Sequence, residues 1–347
     1  MKRALVISGG GSKGAFAVGI LQRLRSLFPT LHFDIIVGTS TGSLIAPLAA
    51  AGELDLLEEL YTTNTTENVV MKHRLGDRLN QKSIYSVEPL WQLIKKYITD
   101  NCYNNILQSD THIYLTTTCL QTQGTVVYTT NPAPEVSTSY KIKTVKDGEH
   151  MRLAVLGSAC QPVFMTPVKI DQNYSIGSEK EFQYVDGGVR EYAGIQMAVD
   201  QGAKEIFCIL LAPESREVEN LQYESLFPIL ERTISMFSED VEKNDIVIPQ
   251  LYAKAIDYIE AVKQKILNDG LTQNKVDEYF KIDGSKNLIE SAEAIKLYIM
   301  RPETSLGGGP GGLVFDPVEM KNMVNTGKGA AQNFIAKLDP QEVTWIV

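Results

Sequence analysis

The sequence predicts an α/β fold, in which helices cover both faces of a mainly parallel central sheet. Apolar strand-like runs alternate along the chain with amphipathic helical runs, and no internal repeat is present. Two of the strand-like runs end in glycine-containing turns that open directly into helices. A later run at residues 205–211 is apolar almost throughout, which is typical of a strand buried on both faces of a parallel sheet.

The predicted strands are short runs, either apolar or alternating, that turn-forming residues separate from the next element. Alternation predicts a strand because successive side chains of a strand point to opposite faces of its sheet. In order, the predicted strands cover residues 3–8, 33–37, 112–118, 125–130, 182–185, 205–211 and 295–300, with a further strand around Val168.

The predicted helices carry apolar residues three or four positions apart, which places those residues on one helix face. In order, these helices cover residues 15–27, 43–51, 53–61, 86–99, 151–159, 190–201, 224–237, 249–267 and 317–338, the last interrupted near Gly327 and Gly329. Residues 62–82 are polar and show no clear period, so we expect a long surface loop there. We expect residues 307–312 (GGGPGG) to form a flexible loop.

The composition is that of an ordinary soluble globular protein. The 347 residues are 44% hydrophobic, and no stretch approaches 18 uninterrupted apolar residues, so we expect no membrane span. A net charge of −9 and a pI near 5.1 argue against nucleic acid as the main partner. Four widely spaced cysteines without a CxxC pair indicate neither a disulfide framework nor a zinc site. With no signal-peptide pattern in the chain, we expect a cytoplasmic protein.

Residues 37–42 (VGTSTG) form a GxSxG motif between a predicted strand and a predicted helix. A serine in this context lies on a sharp turn, where Gly38 and Gly42 leave room for a strained backbone. The helix that follows contributes free backbone N–H groups and the positive end of its dipole. Ser40 is therefore the candidate nucleophile, although the motif alone also fits a helix start whose glycines serve packing.

Residues 9–14 (GGGSKG) lie between the first predicted strand and the first predicted helix. Their glycine spacing matches the dinucleotide-binding fingerprint, which would make the protein a Rossmann-type oxidoreductase. That fingerprint requires an acidic residue at the end of the second strand, whereas Asp34 stands at the start of that strand. A phosphate loop is excluded because Gly14 is followed by alanine and phenylalanine, not by lysine and a hydroxyl residue.

The same glycine loop also suits the binding of an oxyanion. Consecutive glycines such as Gly9, Gly10 and Gly11 let backbone N–H groups point in one direction with no side chain in front of them. Lys13 would add positive charge nearby, although a solvated loop lysine fits the sequence equally well.

Asp186 ends a predicted strand and is followed by Gly187 and Gly188. An aspartate at this position can reach the catalytic turn of a neighbouring strand, although an ordinary Asp-Gly turn fits the same residues. The Ser-acid-His order of α/β-hydrolases is not available, because no histidine follows Asp186. A site of two residues remains, in which a partly desolvated carboxylate takes the serine proton directly. The chain has four histidines, His32, His73, His112 and His150, and none lies in a glycine-containing turn at the end of a strand.

Together these motifs resemble the patatin-like lipid acyl hydrolases, in particular the bacterial ones. The residues that carry the resemblance are SGGGSKG at 8–14, GTSTG at 38–42 and DGG at 186–188, in the order of the family, within residues 3–212. The resemblance implies a Ser40–Asp186 dyad and an oxyanion hole of Gly10 and Gly11 amides, with Gly9 positioning them. It also implies hydrolysis of carboxylic esters of lipids or phospholipids, without a cofactor or metal ion. The family more often has arginine in place of Lys13; lysine keeps the positive charge but lacks the bidentate geometry with which arginine binds a phosphate head group.

Residues 1–215 are expected to form the patatin-like catalytic core. Residues 216–290, whose helices lie outside the resemblance, are expected to form a helical insertion packed on this core. Residues 291–347 would then complete the same domain with a final strand and a C-terminal helix. The expected partner is a lipid substrate, with peripheral contact to a membrane surface and no nucleic acid. Two alternatives stay open: a Rossmann-type oxidoreductase, and a catalytically silent lipid-binding protein of the same fold. The oligomeric state does not follow from the sequence.

Overall fold

The computed structural model describes residues 1–72, 83–215, 222, 224, 226–281 and 295–338. Its main sheet has eight strands, of which seven follow the spatial order β10-β9-β1-β2-β5-β6-β7, while β8 pairs with β5. The strands of this sheet are β1 (Lys2–Ile7), β2 (Ile35–Thr39), β5 (His112–Cys119), β6 (Thr125–Thr129), β7 (Lys141–Thr144), β8 (Tyr184–Asp186), β9 (Ala203–Ile209) and β10 (Lys296–Met300). The short strands β3 (Met71–Lys72) and β4 (Tyr85–Ser86) pair separately.

Helices cover both faces of the sheet, as the sequence predicts. Leu5 and Ile7 of β1 belong to the larger apolar core, whereas Ala4 and Val6 belong to a second core on the opposite face. This division follows from the alternation of side chains along a strand. The helices are α1 (Gly14–Leu27), α2 (Thr41–Ala50), α3 (Leu54–Thr63), α4 (Thr66–Val69), α5 (Glu88–Tyr97), α6 (Asp100–Gln108), α7 (Gly148–Ala159), α8 (Ile195–Asp200), α9 (Leu226–Asn268), α10 (Gln273–Phe280) and α11 (Pro317–Ala336).

The strand directions place the functional motifs at one edge of the sheet. Strands β10, β9, β1, β2 and β5 run parallel to one another, so their carboxyl ends lie at the same edge. Strands β6 and β8 run antiparallel to β5, and β7 runs parallel to β6. The prediction of a mainly parallel sheet is confirmed. The loops after β1, β2 and β10 therefore leave the sheet at the same edge.

The predictions for residues 62–82 and for residues 224–267 were wrong. Residues 62–82 were predicted to form a loop, but this region contains the end of α3 and helix α4. A reciprocal capping box between Thr65 and Asn68 stabilises the start of α4. Residues 73–82 lie outside the described part of the chain. The helices predicted at 224–237 and 249–267 are one helix, α9, which tolerates Pro249 in its interior. A helix can continue through a proline at the loss of one backbone hydrogen bond, so the proline did not mark a boundary.

The final helix was also predicted differently. Helix α11 continues through Gly327 and Gly329 without a break. A Cβ at Gly327 would lie 2.1 Å from the carbonyl oxygen of Phe16 in α1, so this glycine serves close packing of two helices. Helix α8 is shorter than predicted, because Gly194 precedes it in a left-handed conformation. Around Val168 there is a single bridge to Tyr184 in place of the predicted strand.

Helix α6, helix α10 and strand β7 had no sequence prediction. Helix α6 starts at a Thr99 cap but is largely polar, and the short edge strand β7 alternates lysine with apolar or hydroxyl residues. The four cysteines are all buried and unpaired, as expected. Among the described residues, no helix is both long enough and apolar enough to cross a membrane.

Candidate active site

Ser40 lies between the end of β2 and the first residue of α2, in a strained backbone conformation. Its φ of 56° and ψ of −120° belong to a region that side chains other than glycine rarely adopt. The neighbouring glycines are required by close packing, since a Cβ at Gly38 would lie 2.4 Å from the carbonyl oxygen of Gly42. A Cβ at Gly42 would lie 2.1 Å from the carbonyl oxygen of Ile7 in β1. The turn therefore sits directly against the adjacent strand.

Two serine hydroxyls hold the strained turn in place. The backbone N–H of Ser40 donates to Ser158 Oγ of α7 at 3.0 Å, and Ser43 Oγ donates to the carbonyl oxygen of Ser40 at 2.6 Å. Both partners are fully buried, so these hydrogen bonds form away from competing water. Ser43 Oγ also lies 3.3 Å from the carbonyl oxygen of Val155. The peptide groups on either side of the nucleophile candidate are thus fixed by α2 and α7.

We expect Ser40→Gly to be more stable than Ser40→Ala by about 1 kcal/mol. Glycine relieves the backbone strain of the turn, which costs about 1–3 kcal/mol for another residue, although glycine also gains more entropy on unfolding. Urea denaturation of both variants measures the difference in free energy of unfolding. An alanine variant at least as stable as the glycine variant would show that the turn is not strained.

Strand pairing brings Asp186 to Ser40. Strand β8 pairs with β5 through Thr117↔Asp186, one position beyond the β2–β5 pair Thr39↔Thr116. Since β6 occupies the other flank of β5 along these positions, β2 and β8 lie on the same flank and meet end to end. The two carboxyl ends of these strands therefore face each other, with Ser40 following one and Asp186 ending the other.

Close packing where the ends of β2 and β8 meet on β5 requires a glycine at position 187. A Cβ at Gly187 would lie 2.3 Å from Thr116 Oγ1, and that hydroxyl is 2.7 Å from Thr39 Oγ1. The N–H of Gly188 donates to Asp186 Oδ1 at 2.8 Å and fixes the carboxyl group. The backbone of Asp186 is held by a 2.8 Å hydrogen bond from its N–H to the carbonyl oxygen of Cys160.

The carboxyl group of Asp186 is buried, and its pKa is raised. Burial raises the pKa of Asp186 to about 6, and the Ser40 hydroxyl and the Gly188 N–H partly lower it by hydrogen bonding. Asp186 is 4% exposed and Ser40 is 5% exposed. The Asp186 carboxyl group interacts with the Ser40 hydroxyl, but its Oδ2 makes no well-aligned hydrogen bond to any described residue. Catalytic hydrogen bonds are often loose before substrate binds and tighten in the complex.

The glycine loop after β1 lies against the Ser40 turn. A Cβ at Gly9 would be 3.0 Å from Ser40 Cβ and 3.7 Å from Ser40 Oγ. Gly11 has a φ of 58°, and a short 3₁₀ turn, Gly11–Lys13, leads into α1. The N–H groups of Gly10 and Gly11 donate to no acceptor among the described residues. The loop that carries these two N–H groups contacts Ser40 at Gly9.

The remaining motif residues surround this loop. A Cβ at Gly14 would lie 2.4 Å from the hydroxyl of Tyr61, which is itself 2.5 Å from Thr41 Oγ1. Lys13 is half-buried at the last position of the 3₁₀ turn. Asp34 accepts a 2.7 Å hydrogen bond from the N–H of Arg3, at the end of the sheet away from the glycine loop. It therefore does not supply the ribose-binding acid of a dinucleotide site.

The described histidines lie outside the site. His150 is buried near the start of α7, where its Nε2 lies 3.2 Å from Asp171 Oδ1 and its ring stacks on Tyr174. Eight residues of α7 separate it from Ser158, about 12 Å along the helix axis. His32 is exposed, and His112 begins β5 at the opposite end of the sheet. His73 lies outside the described residues.

An apolar cavity of about 90 Å³ lies between α2, α3 and α5. Helix α2 contributes Leu44 and Leu48, which follow Ser40 at one-turn intervals, and Tyr61 connects the cavity wall to Thr41. The other lining residues are Leu57, Leu60, Asn64, Val69, Leu90, Leu93, Ile94, Tyr97, Ile98 and Phe315. No cluster of three or more metal-ligating side chains occurs among the described residues.

Sequence reasoning missed Ser43, Ser158 and the hydroxyl pair Thr39–Thr116. Only Ser43 carries a local signal, because it follows Ser40 by three residues, the spacing of a side chain that caps the turn of a helix start. The others meet the site through contacts between residues more than 70 positions apart.

Comparison with known proteins agrees with these motifs. The patatin-like phospholipase family model matches residues 5–199. The cUMP-AMP-activated phospholipase of Escherichia coli is 41% identical over 64 residues, which cover 17% of this chain and only 20% of that relative. The crystal structure of VipD from Legionella pneumophila aligns with 96% of this chain and 66% of its own, at a TM-score of 0.40 and 12% identity. With more than half of its length matched by the family model, the chain belongs to the patatin-like phospholipase family.

Proposed function

We propose that this protein is a serine lipid acyl hydrolase that cleaves carboxylic ester bonds of lipids or phospholipids. The observation that carries the proposal is the buried pair of Ser40 and Asp186, which lie at facing strand ends. Membership in the family supports lipid hydrolysis, and the residue roles below are our inference. The oxidoreductase alternative loses its support, because the ribose-binding acid is absent.

The proposed reaction begins with proton transfer from Ser40 Oγ to the carboxylate of Asp186. Ser40 Oγ then attacks the ester carbonyl carbon, and the electron pair of the C=O bond moves to the oxygen. The N–H groups of Gly10 and Gly11 would stabilise this oxyanion, with the N-terminus of α2 adding positive potential. Collapse of the intermediate expels the alcohol, which takes the proton from Asp186. Water, activated by the same carboxylate, releases the fatty acid by the reverse sequence.

The cavity beside α2 supports an acyl substrate. Its lining is almost entirely aliphatic and aromatic, and Leu44 lies one helical turn from Ser40. An apolar lining of this kind favours a hydrocarbon chain over polar groups. We infer that the acyl chain enters between α2, α3 and α5 while the ester carbonyl reaches Ser40. The half-buried Lys13 would lie near the phosphate of a phospholipid head group.

The test is hydrolysis of p-nitrophenyl esters of increasing chain length, together with release of fatty acid from phospholipid vesicles. We expect turnover of both substrate classes by the wild-type protein. A protein that binds vesicles yet hydrolyses neither esters nor phospholipids would be the catalytically silent lipid-binding alternative.

Filling the cavity should shorten the preferred acyl chain. We expect Leu48→Trp to reduce kcat/KM for an octanoyl ester about fifteenfold, while the acetyl ester keeps its rate. The estimate assumes that two methylenes lose burial at about 0.8 kcal/mol each. Leu27→Trp, at an exposed leucine of α1, is the matched control. Equal losses for both esters would show that the acyl chain binds elsewhere.

A further inference from the structure

The glycine-rich segment 307–312 lies at the same sheet edge as the proposed oxyanion loop. Strand β10 runs parallel to β9, and β9 to β1, so the chain leaves β10 at the same edge as the loop that follows β1, with β9 between them. Helix α11 then packs along α1, where a Cβ at Gly19 would meet the carbonyl oxygen of Val324 at 2.0 Å. The connection between β10 and α11 must therefore cross the carboxyl ends of β9 and β1.

This connection is not the free, flexible loop that its composition suggests. Gly308 and Gly312 are buried, and the N–H of Val314 donates to the carbonyl oxygen of Gly308 at 2.9 Å. Five of its glycines have φ values between 62° and 80°, a region that side chains other than glycine adopt at a cost. These glycines are Gly307, Gly308, Gly309, Gly311 and Gly312. The glycines thus allow the backbone of this segment to adopt left-handed φ values at five positions along its path.

The path brings the segment into backbone contact with the oxyanion loop. A Cβ at Gly312 would lie 2.3 Å from the carbonyl oxygen of Gly10, and a Cβ at Gly11 would lie 2.2 Å from the carbonyl oxygen of Gly312. A Cβ at Gly308 would lie 2.5 Å from the buried Ser12 Oγ. No methyl group fits between the two loops, so a Cβ at either contact would displace the oxyanion loop, the segment or both.

The segment is also tied to the strand of the proposed base. Gln161 Nε2 donates to the carbonyl oxygen of Gly311 at 2.9 Å. The preceding residue, Cys160, accepts the backbone N–H of Asp186 at 2.8 Å. The hydrogen bond between Gln161 and Gly311 therefore connects segment 307–312 to the backbone that holds Asp186.

We propose that residues 308–312 position the oxyanion loop, with Gln161 holding them in register with Asp186. The segment sets the direction of the Gly10 and Gly11 N–H groups relative to Ser40 and contacts no reacting atom itself. This inference rests on the proposed hydrolase function. It extends the catalytic unit beyond residues 5–199, which the family model matches.

The test compares Gly312→Ala and Gln161→Met with Gly52→Ala. Gly52 has a φ of 79° and open space around its Cβ position, so its alanine variant carries the backbone strain without the collision. We expect Gly312→Ala to lower kcat about a hundredfold with KM within twofold, as loss of one oxyanion donor does. Affinity for a trifluoromethyl ketone, which forms a tetrahedral oxyanion on the serine, should fall by a similar factor. Gln161→Met should lower both about tenfold, and Gly52→Ala neither.

The outcomes separate this inference from the function on which it rests. Wild-type protein that neither hydrolyses esters nor binds the ketone overturns the function and the inference together. Active wild type, with both variants within twofold in kcat and ketone affinity, overturns the inference alone. If Gly312→Ala fails to fold, Gln161→Met decides, because its side chain keeps the size and loses only the hydrogen bond. Equal loss in Gly52→Ala would assign the effect to stability and also overturn the inference.

Discussion

Replacing Ser40 with alanine should lower kcat for a p-nitrophenyl ester on the order of 10⁶-fold, which is the loss expected when a serine nucleophile is removed. The reason is chemical: without the hydroxyl no acyl-enzyme forms, and only water held near the oxyanion donors remains to react. The fold should persist, since Ser43 and Ser158 hold the turn through backbone atoms of residue 40. Turnover and far-ultraviolet circular dichroism measure the two expectations separately.

The matched control is Ser139→Ala, at an exposed serine of the loop before β7. It should keep the wild-type rate. A folded Ser40→Ala protein with near wild-type kcat would mean that another residue is the nucleophile.

Replacing Asp186 with asparagine should lower kcat about 10⁴-fold with little change in KM. Asparagine keeps the size of the side chain and the oxygen that accepts the Gly188 N–H, but it cannot take a proton. His150→Gln should cost far less, because His150 lies about 12 Å along α7 from the residue that contacts Ser40. If a histidine variant were as inactive as Asp186→Asn, that histidine would take part in catalysis, and the site would be a triad and not a Ser40–Asp186 dyad.

The raised pKa of Asp186 gives this prediction a pH dependence. The carboxyl must be ionised to act as a base, so kcat/KM should fall as the pH drops through about 6. Stability should change in the opposite direction. A carboxyl whose pKa rises from 3.8 to about 6 on folding favours the native state below pH 3.8, and this contribution is lost as the pH rises through 6.

It follows that Asp186→Asn should be more stable than the wild type at pH 8, by up to about 3 kcal/mol. The estimate is the shift in pKa multiplied by 1.36 kcal/mol per unit. The difference should vanish at about pH 3, which lies below both pKa values, so that the side chain is uncharged in the unfolded state as well as in the native state. Urea denaturation at the two pH values checks it, and a variant that is less stable at both would remove the argument for a buried base.

The sequence predicted the parts of the site that depend on local geometry. Glycines beside Ser40 and Asp186, each at the end of an apolar run, are readable because a sharp turn needs particular residues at fixed offsets. The prediction that Asp186 reaches a neighbouring turn depended on the strand-end position alone. It could not specify that β8 runs antiparallel to β5 and continues the line of β2.

What the sequence could not predict depends on contacts between distant residues. Ser158 meets Ser40 across 118 positions, and Gln161 meets Gly311 across 150. Neither residue type is unusual in its own segment. The glycines at 307–312 were visible, but glycine serves free loops and close backbone contacts equally, and only the position of β10 beside β9 distinguishes the two. Pro249 failed as a helix boundary for a related reason, since tertiary packing decides whether a proline ends a helix.

The most direct test of the account is labelling by a fluorophosphonate, which modifies only an activated serine, followed by mapping of the modified peptide by mass spectrometry. The account predicts a single adduct on Ser40, with a labelling rate that falls as the pH drops through about 6 and that is nearly abolished in Asp186→Asn. Labelling of Ser40 at an unchanged rate in Asp186→Asn, or an adduct on a different serine, would contradict it.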